Sequence, residues 1–94
     1  DPGIGFGKGF DHNLFILKNL KEFSIFGLPI LIGASRKSFI GKIVDKEAPF
    51  RDDATQAATA IAILNGCHIV RVHDVKKTKD AVLVADAIKH AVNF

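Results

Sequence analysis

An α/β fold built from repeated parallel βα units is predicted by three observations on this 94-residue chain. Short apolar runs, Ile30-Leu31-Ile32 and His68 to His73, alternate with longer segments of helical periodicity, the order that parallel strands with crossover helices produce. The run Ile30 to Ile32 is continuous, as in a strand covered on both faces. Polar clusters follow both runs, at Gly33-Ala34-Ser35-Arg36-Lys37-Ser38 and Arg71-Val72-His73-Asp74-Val75, and a third, Asp1-Pro2-Gly3-Ile4-Gly5-Phe6-Gly7-Lys8, opens the chain. Ligands of such folds gather at the carboxyl ends of strands, whether the sheet is open or closed into a barrel, so the three clusters are expected to share one site.

The elements follow in order. Asp11 is a candidate cap for a helix whose Leu14, Leu17 and Leu20, with Ile16, Phe23 and Phe26, recur at helical spacing. Gly27 stops it and Pro29 leads into the first strand. A short helical turn through Phe39, Ile40 and Ile43 comes next, and the polar stretch from Lys42 to Asp53, with Pro49, reads as a surface loop. Ala54 to Leu64 is alanine-rich and favours a closely packed helix ending at Asn65-Gly66. After the strand His68 to His73, a last helix spans about Lys76 to His90 with Ala81, Val84, Ala85 and Ile88 on one face.

Composition bounds the class. Hydrophobic residues make up 48% of the chain and mean hydropathy is +0.21, which indicates a packed core. The charge of +3 and pI near 9.2 are too mild to require nucleic acid, and no basic stripe with interleaved aromatics appears. No apolar run reaches the roughly 18 residues of a membrane span. The single Cys67 has no partner for a disulfide and no metal spacing around it, so it reads as a buried small side chain. The chain starts at Asp1, without Met and without a strand ahead of its glycine turn, and is expected to be part of something longer.

Each cluster suggests chemistry and has a plainer alternative. Strand alternation puts Arg71 and His73 on one face and Val70 and Val72 on the other. Arg71 then offers a planar fork for phosphate or a surface for stacking, and His73 a donor or proton shuttle; alone, each is better explained by a neighbouring carboxylate or a hydrogen bond in the core, whereas both together at a strand end favour function. The glycine stretch is no dinucleotide fingerprint, because Lys8 stands where the third glycine would be. Its glycines instead allow close backbone approach to a flat ligand beside Phe6, and Asp1 is placed to accept hydrogen bonds from a ring N–H and an exocyclic amine. Arg36 likewise occupies the glycine position of a phosphate-binding P-loop and excludes that motif. Lys37 suits a carbonyl or ring nitrogen, Ser38 a second substrate, and Arg36 an anion, although an isolated Arg-Lys-Ser is usually a basic surface patch.

Together, D-P-G-I-G-F-G-K, G-A-S-R-K-S-F-I-G and R-V-H-D-V, in this order and spacing, resemble the last part of the dihydropteroate synthase family, over essentially all of the chain. The resemblance implies a (β/α)8 TIM barrel of which residues 1–94 hold roughly the last three βα units, as the C-terminal portion of a single pterin-binding domain. It implies condensation of 6-hydroxymethyl-7,8-dihydropterin diphosphate with p-aminobenzoate, releasing pyrophosphate, in the cytoplasm. By motif, Asp1 would bind the pyrimidine edge of the pterin, Lys37 would hydrogen-bond the pterin and Arg71 would lie against its ring. Arg71 and His73, with Arg36 nearby, would hold the diphosphate, while Gly5, Phe6 and Ser38 would border the aminobenzoate; Gly33 counts with them among the substrate-binding positions. Lys37, Arg71 and His73 are the implied catalytic residues.

The family further implies Mg²⁺ held outside this chain and a homodimer in the whole enzyme, with neither nucleic acid nor membrane as partner. Ala54 stands where the family often has Gly, so the helix is expected to start earlier or pack less closely. A pterin-binding methyltransferase acting on methyltetrahydrofolate and a non-catalytic basic module are the competing readings. Three βα units cannot close a barrel, so apolar surface and unpaired backbone are expected on one flank, and no turnover is expected of the 94 residues alone.

Overall fold

The computed structural model describes residues 1–7 and 9–92, which leaves Lys8 outside the described residues. Two short strands, β1 (Leu31–Ile32) and β2 (Ile69–Val70), pair in parallel with Leu31 opposite Ile69 and Ile32 opposite Val70. The helices are α1 (Phe10–Lys18), α2 (Ser38–Val44), α3 (Asp52–Leu64) and α4 (Val75–Lys89). Helices α2 and α3 make the crossover between the strands, and α4 follows β2, so the βα order predicted above is the order found.

The ladder extends past the formal strand ends. The Ile30 carbonyl accepts from the amides of His68 and Ile69, at 2.8 and 3.1 Å, and the Ile32 carbonyl from that of Arg71 at 3.0 Å. His68 also completes the edge through its ring, whose Nδ1 accepts from the Ile30 amide at 3.0 Å. Both strands are shorter than expected, β1 by Ile30 and β2 at both ends; past Val70, β2 loses its partner where the chain turns after Ile32, a turn closed by a Lys37 amide to Ala34 carbonyl bond. Beneath the sheet, Ile32 packs with Ile4, Leu17, Leu20, Phe39 and Ala62. Cys67 is buried there as expected, and burial pushes its thiol pKa up.

Four expectations need correction. The helix predicted from Asp11 to Phe26 starts after Gly9, with Asp11 in its first turn, and divides at Asn19 into α1 and a 3₁₀ segment, Leu20–Phe26. The break is held by Asn65, whose Nδ2 donates to the Leu17 carbonyl at 2.9 Å and thereby satisfies a carbonyl that continued α-helix would have used. Gly27 ends the 3₁₀ segment in the left-handed conformation. The predicted loop from Lys42 to Asp53 instead contains the end of α2, a 3₁₀ turn at Ala48–Phe50 that Pro49 suits, and the first turn of α3.

Helix α3 starts at Asp52, two residues earlier than read from the alanines, and Asp52 and Asp53 carry negative charge at its amino end. In α4 the packed stripe runs through Thr78, Ala81 and Ala85, while Val84 and Ile88 are each 61% exposed. Small side chains let α4 approach α3 closely; the bulkier pair on the predicted face turns outward. Asp74 caps α4 through its carboxylate, which accepts from the Lys77 amide at 2.9 Å.

Candidate functional site

The strand register carries the site. Because Ile32 pairs with Val70, continuing the register past the two strands sets Gly33 opposite Arg71 and Ser35 opposite His73, on one side. The side chains confirm this pairing. The Arg71 guanidinium lies directly over Gly33, in the space a Cβ there would fill, and the Ser35 hydroxyl meets His73 Nδ1 at 2.8 Å. A side chain at Gly33 would displace the Arg71 guanidinium from this place, while the φ of Gly33 is itself unremarkable.

Arg71 also faces the glycine turn. Its Nη1 lies 3.6 Å from Asp1 Oδ2, with the two side chains 56% and 38% exposed, while Asp1 Oδ1 accepts from the Gly3 amide at 2.8 Å. At this exposure the ion pair contributes little to stability; its consequence is orientation. Both carboxylate oxygens are engaged, one by the Gly3 amide and one by Arg71, in a side chain that stays partly exposed.

Lys37 joins the same group from the α2 side. Its Nζ donates to the Ile4 carbonyl at 2.6 Å and sits 4.1 Å from the centroid of the Phe6 ring, a cation–π distance. Its stem crosses Gly5 so closely that a Cβ there would stand 2.8 Å from Lys37 Cδ; Gly5 also has φ +84°, which excludes most side chains independently. Partial burial, followed by the positive charge of Arg71, lowers the Lys37 pKa. Two cations are therefore held near each other with one of them partly buried, an arrangement that favours an acceptor-rich or anionic ligand.

Asn13, which sequence reasoning passed over, anchors the glycine turn from below. It is 3% exposed, and its Oδ1 accepts from the Gly5 amide at 2.9 Å. Ser38 is the exposed first residue of α2 and opens onto a cleft shared with Phe10 and Asn13. The structure therefore brings Asp1, Gly5, Phe6, Gly33, Lys37 and Arg71 together, places His73 beside them through Ser35, and sets Ser38 at the rim.

Arg36 is placed differently. Its guanidinium forms a bidentate pair with Asp52, Nε to Oδ1 at 2.7 Å and Nη2 to Oδ2 at 3.0 Å. Its backbone has φ +57°, a left-handed conformation costly for a residue with a Cβ. The first turn of α3 and the residue before it compensate: Thr55 Oγ1 accepts from the Arg36 amide at 3.1 Å, and Arg51 Nη1 donates to the Arg36 carbonyl at 2.8 Å. A Cβ on Gly41 would occupy the space of that Arg51 guanidinium. Arg36 thus has its amide, carbonyl and side chain held by Thr55, Arg51 and Asp52, and the turn that presents Ser35 and Lys37 is fixed from α3.

The two hydrogen bonds from Arg36 hold the Asp52 carboxyl below the usual carboxylate range. A depressed carboxyl pKa contributes stability above the unfolded value, about pH 4, that is lost as pH falls through the lower folded value. Asp52→Asn in the intact protein is accordingly expected to lower the urea midpoint at pH 7, with the difference from wild type shrinking steadily below about pH 4. A difference that is constant with pH would contradict this.

Comparison with known proteins identifies the family. A family model described as pterin binding enzyme matches residues 1–73. The chain is 47% identical over 87 residues to the dihydropteroate synthase of Escherichia coli strain K12, covering 93% of this chain and 31% of that protein. To the Bacillus subtilis dihydropteroate synthase it is 43% identical over 96 residues, covering 96% of this chain and 34% of that one. The crystal structure of the Yersinia pestis dihydropteroate synthase superposes with a TM-score of 0.94 at 42% identity, over 97% of this chain and 43% of that chain. The chain thus spans about a third of the length of the curated relatives it matches. On the family model, the identities and the shared backbone, the chain belongs to the pterin binding enzyme family.

Proposed function

We propose that these residues form the C-terminal third of a dihydropteroate synthase, which joins the pterinylmethyl group of 6-hydroxymethyl-7,8-dihydropterin diphosphate to the amine of p-aminobenzoate. The observation that carries this reading is the convergence of the Lys37 ammonium, the Arg71 guanidinium and the Asp1 carboxylate at the end of β1 and β2. A pterin presents the complement: a flat ring for Arg71, donors along its pyrimidine edge for Asp1, and acceptors for Lys37. The Yersinia pestis enzyme has been solved with a pterin–sulfa conjugate, which supports a pocket of this kind.

In the reaction the carbon–oxygen bond to diphosphate breaks, the carbon–nitrogen bond to the aminobenzoate forms, and the amine gives up a proton as pyrophosphate leaves. Arg71 and His73 stabilise the departing anion electrostatically, and Gly5, Phe6 and Ser38 border the incoming amine. Arg36 serves the anion indirectly, through the turn it holds. The magnesium implied by the resemblance is expected to be held outside this chain, and among the described residues no three His, Cys, Asp or Glu side chains are grouped to hold a metal. No step is assigned to it.

The reading places the chain in one (β/α)8 domain of a cytoplasmic homodimer. The parallel pairing of β1 and β2 supports the barrel, as does the exposure of Leu28 and Ile69, at 68% and 51%, on side chains suited to cover by further elements. No helix among the described residues is long and apolar enough to cross a membrane. The test is the formation of dihydropteroate and pyrophosphate by the intact protein supplied with both substrates.

A further inference from the structure

Ser35 is buried, at 7% exposure, and its hydroxyl contacts His73 twice. It accepts from the His73 backbone amide at 3.1 Å and lies 2.8 Å from Nδ1 of the same residue. A hydroxyl has one proton to donate. Among the described residues, Nδ1 is the one acceptor within hydrogen-bond reach of that proton. If Nδ1 of a neutral ring carried its own proton, the Ser35 hydroxyl would receive two hydrogen bonds and leave its proton unpaired in a buried position, which is costly.

We propose that Ser35 is a positioning residue that fixes neutral His73 with its proton on Nε2, presenting an N–H donor to the anionic leaving group at the strand end. The ring proton's place is set by the bond the other nitrogen makes. With Nδ1 turned to buried Ser35, ring geometry directs Nε2 away from it, on a residue that is exposed as a whole. His73 then donates to an anion without first being protonated, and the same hydroxyl ties the His73 backbone to the turn that carries Lys37. The inference rests on the function proposed above for its choice of anion; the proton's place on the ring does not.

The test is ¹⁵N NMR of the intact protein with labelled histidine, at alkaline pH where imidazoles are neutral, with His73→Gln to assign the signal, together with titration of inorganic pyrophosphate. Wild type is expected to show the Nε2–H form. Ser35→Ala is expected to give a mixture of ring forms and pyrophosphate affinity lowered about fivefold, and Ser35→Thr to keep both properties near wild type. An Nδ1–H form in wild type overturns the proposal, and this holds even where Ser35→Ala fails to fold. A Ser35→Ala protein that changes in neither respect, or in only one, also overturns it. A wild type with Nε2–H and normal pyrophosphate binding that forms no dihydropteroate leaves the inference standing and defeats the reading it rests on.

Discussion

Lys37→Ala in the intact protein lowers kcat/KM for the condensation by about 10²- to 10³-fold, the effect of removing one preorganised donor from a reacting centre, with little change in stability. The reason lies in what the side chain touches. Its ammonium bonds the Ile4 carbonyl and lies against Phe6, so its loss releases the glycine turn and the pterin donor together, while none of its partners is part of the buried core except Ile4. Lys37→Arg is expected to rescue poorly, because a forked guanidinium does not occupy the place of a point charge. Steady-state rates for both substrates, with urea midpoints alongside, check this; a rate within threefold of wild type, on the order of the smallest effect a lost donor has, contradicts it.

Ile32→Ala has the largest expected effect on folding, about 2–5 kcal/mol of stability lost in the intact protein. Ile32 is 2% exposed and lies where β1 meets α1, α2 and α3 through Leu17, Phe39 and Ala62. The strand continues directly into Gly33 and Ser35, so a cavity at Ile32 also loosens the register that aligns Arg71 and His73. Equilibrium urea unfolding measures the loss, and a cost below about 1 kcal/mol, typical of a surface position, would show that this residue is not at the centre of the core.

The alternation of apolar runs with helical segments was legible in the sequence because it depends on local pattern, and the three polar clusters were legible because strand ends in parallel folds have one functional side. The facing of Arg71 and His73 followed from a period of two. What the sequence did not contain in readable form was long-range pairing. Asn65 ends α1 from 48 positions away, Thr55 and Asp52 hold Arg36 from the next helix, and Ser35 reaches His73 across 38 residues. None of these partners has a local signature.

Arg36 is the instructive case. As a residue type at a strand end it suits an anion, and the plainer alternative was a basic surface patch; the contact it makes is neither, but an ion pair with Asp52. The left-handed backbone at this residue is invisible without coordinates, since arginine is not a residue type that marks such a turn. Gly33 and Gly5 were similarly visible as glycines, but the cause, in each case a cationic side chain crossing the backbone, belongs to packing.

The central claim, that Lys37, Arg71 and Asp1 converge to hold a pterin diphosphate for transfer to an aromatic amine, is tested most directly by following product formation with the intact protein. Given 6-hydroxymethyl-7,8-dihydropterin diphosphate and p-aminobenzoate, the protein is expected to form dihydropteroate and pyrophosphate in equal amounts, with the rate collapsing in Arg71→Ala as in Lys37→Ala. Absence of product with folded wild-type protein, or product formation that survives Arg71→Ala unchanged, would contradict it.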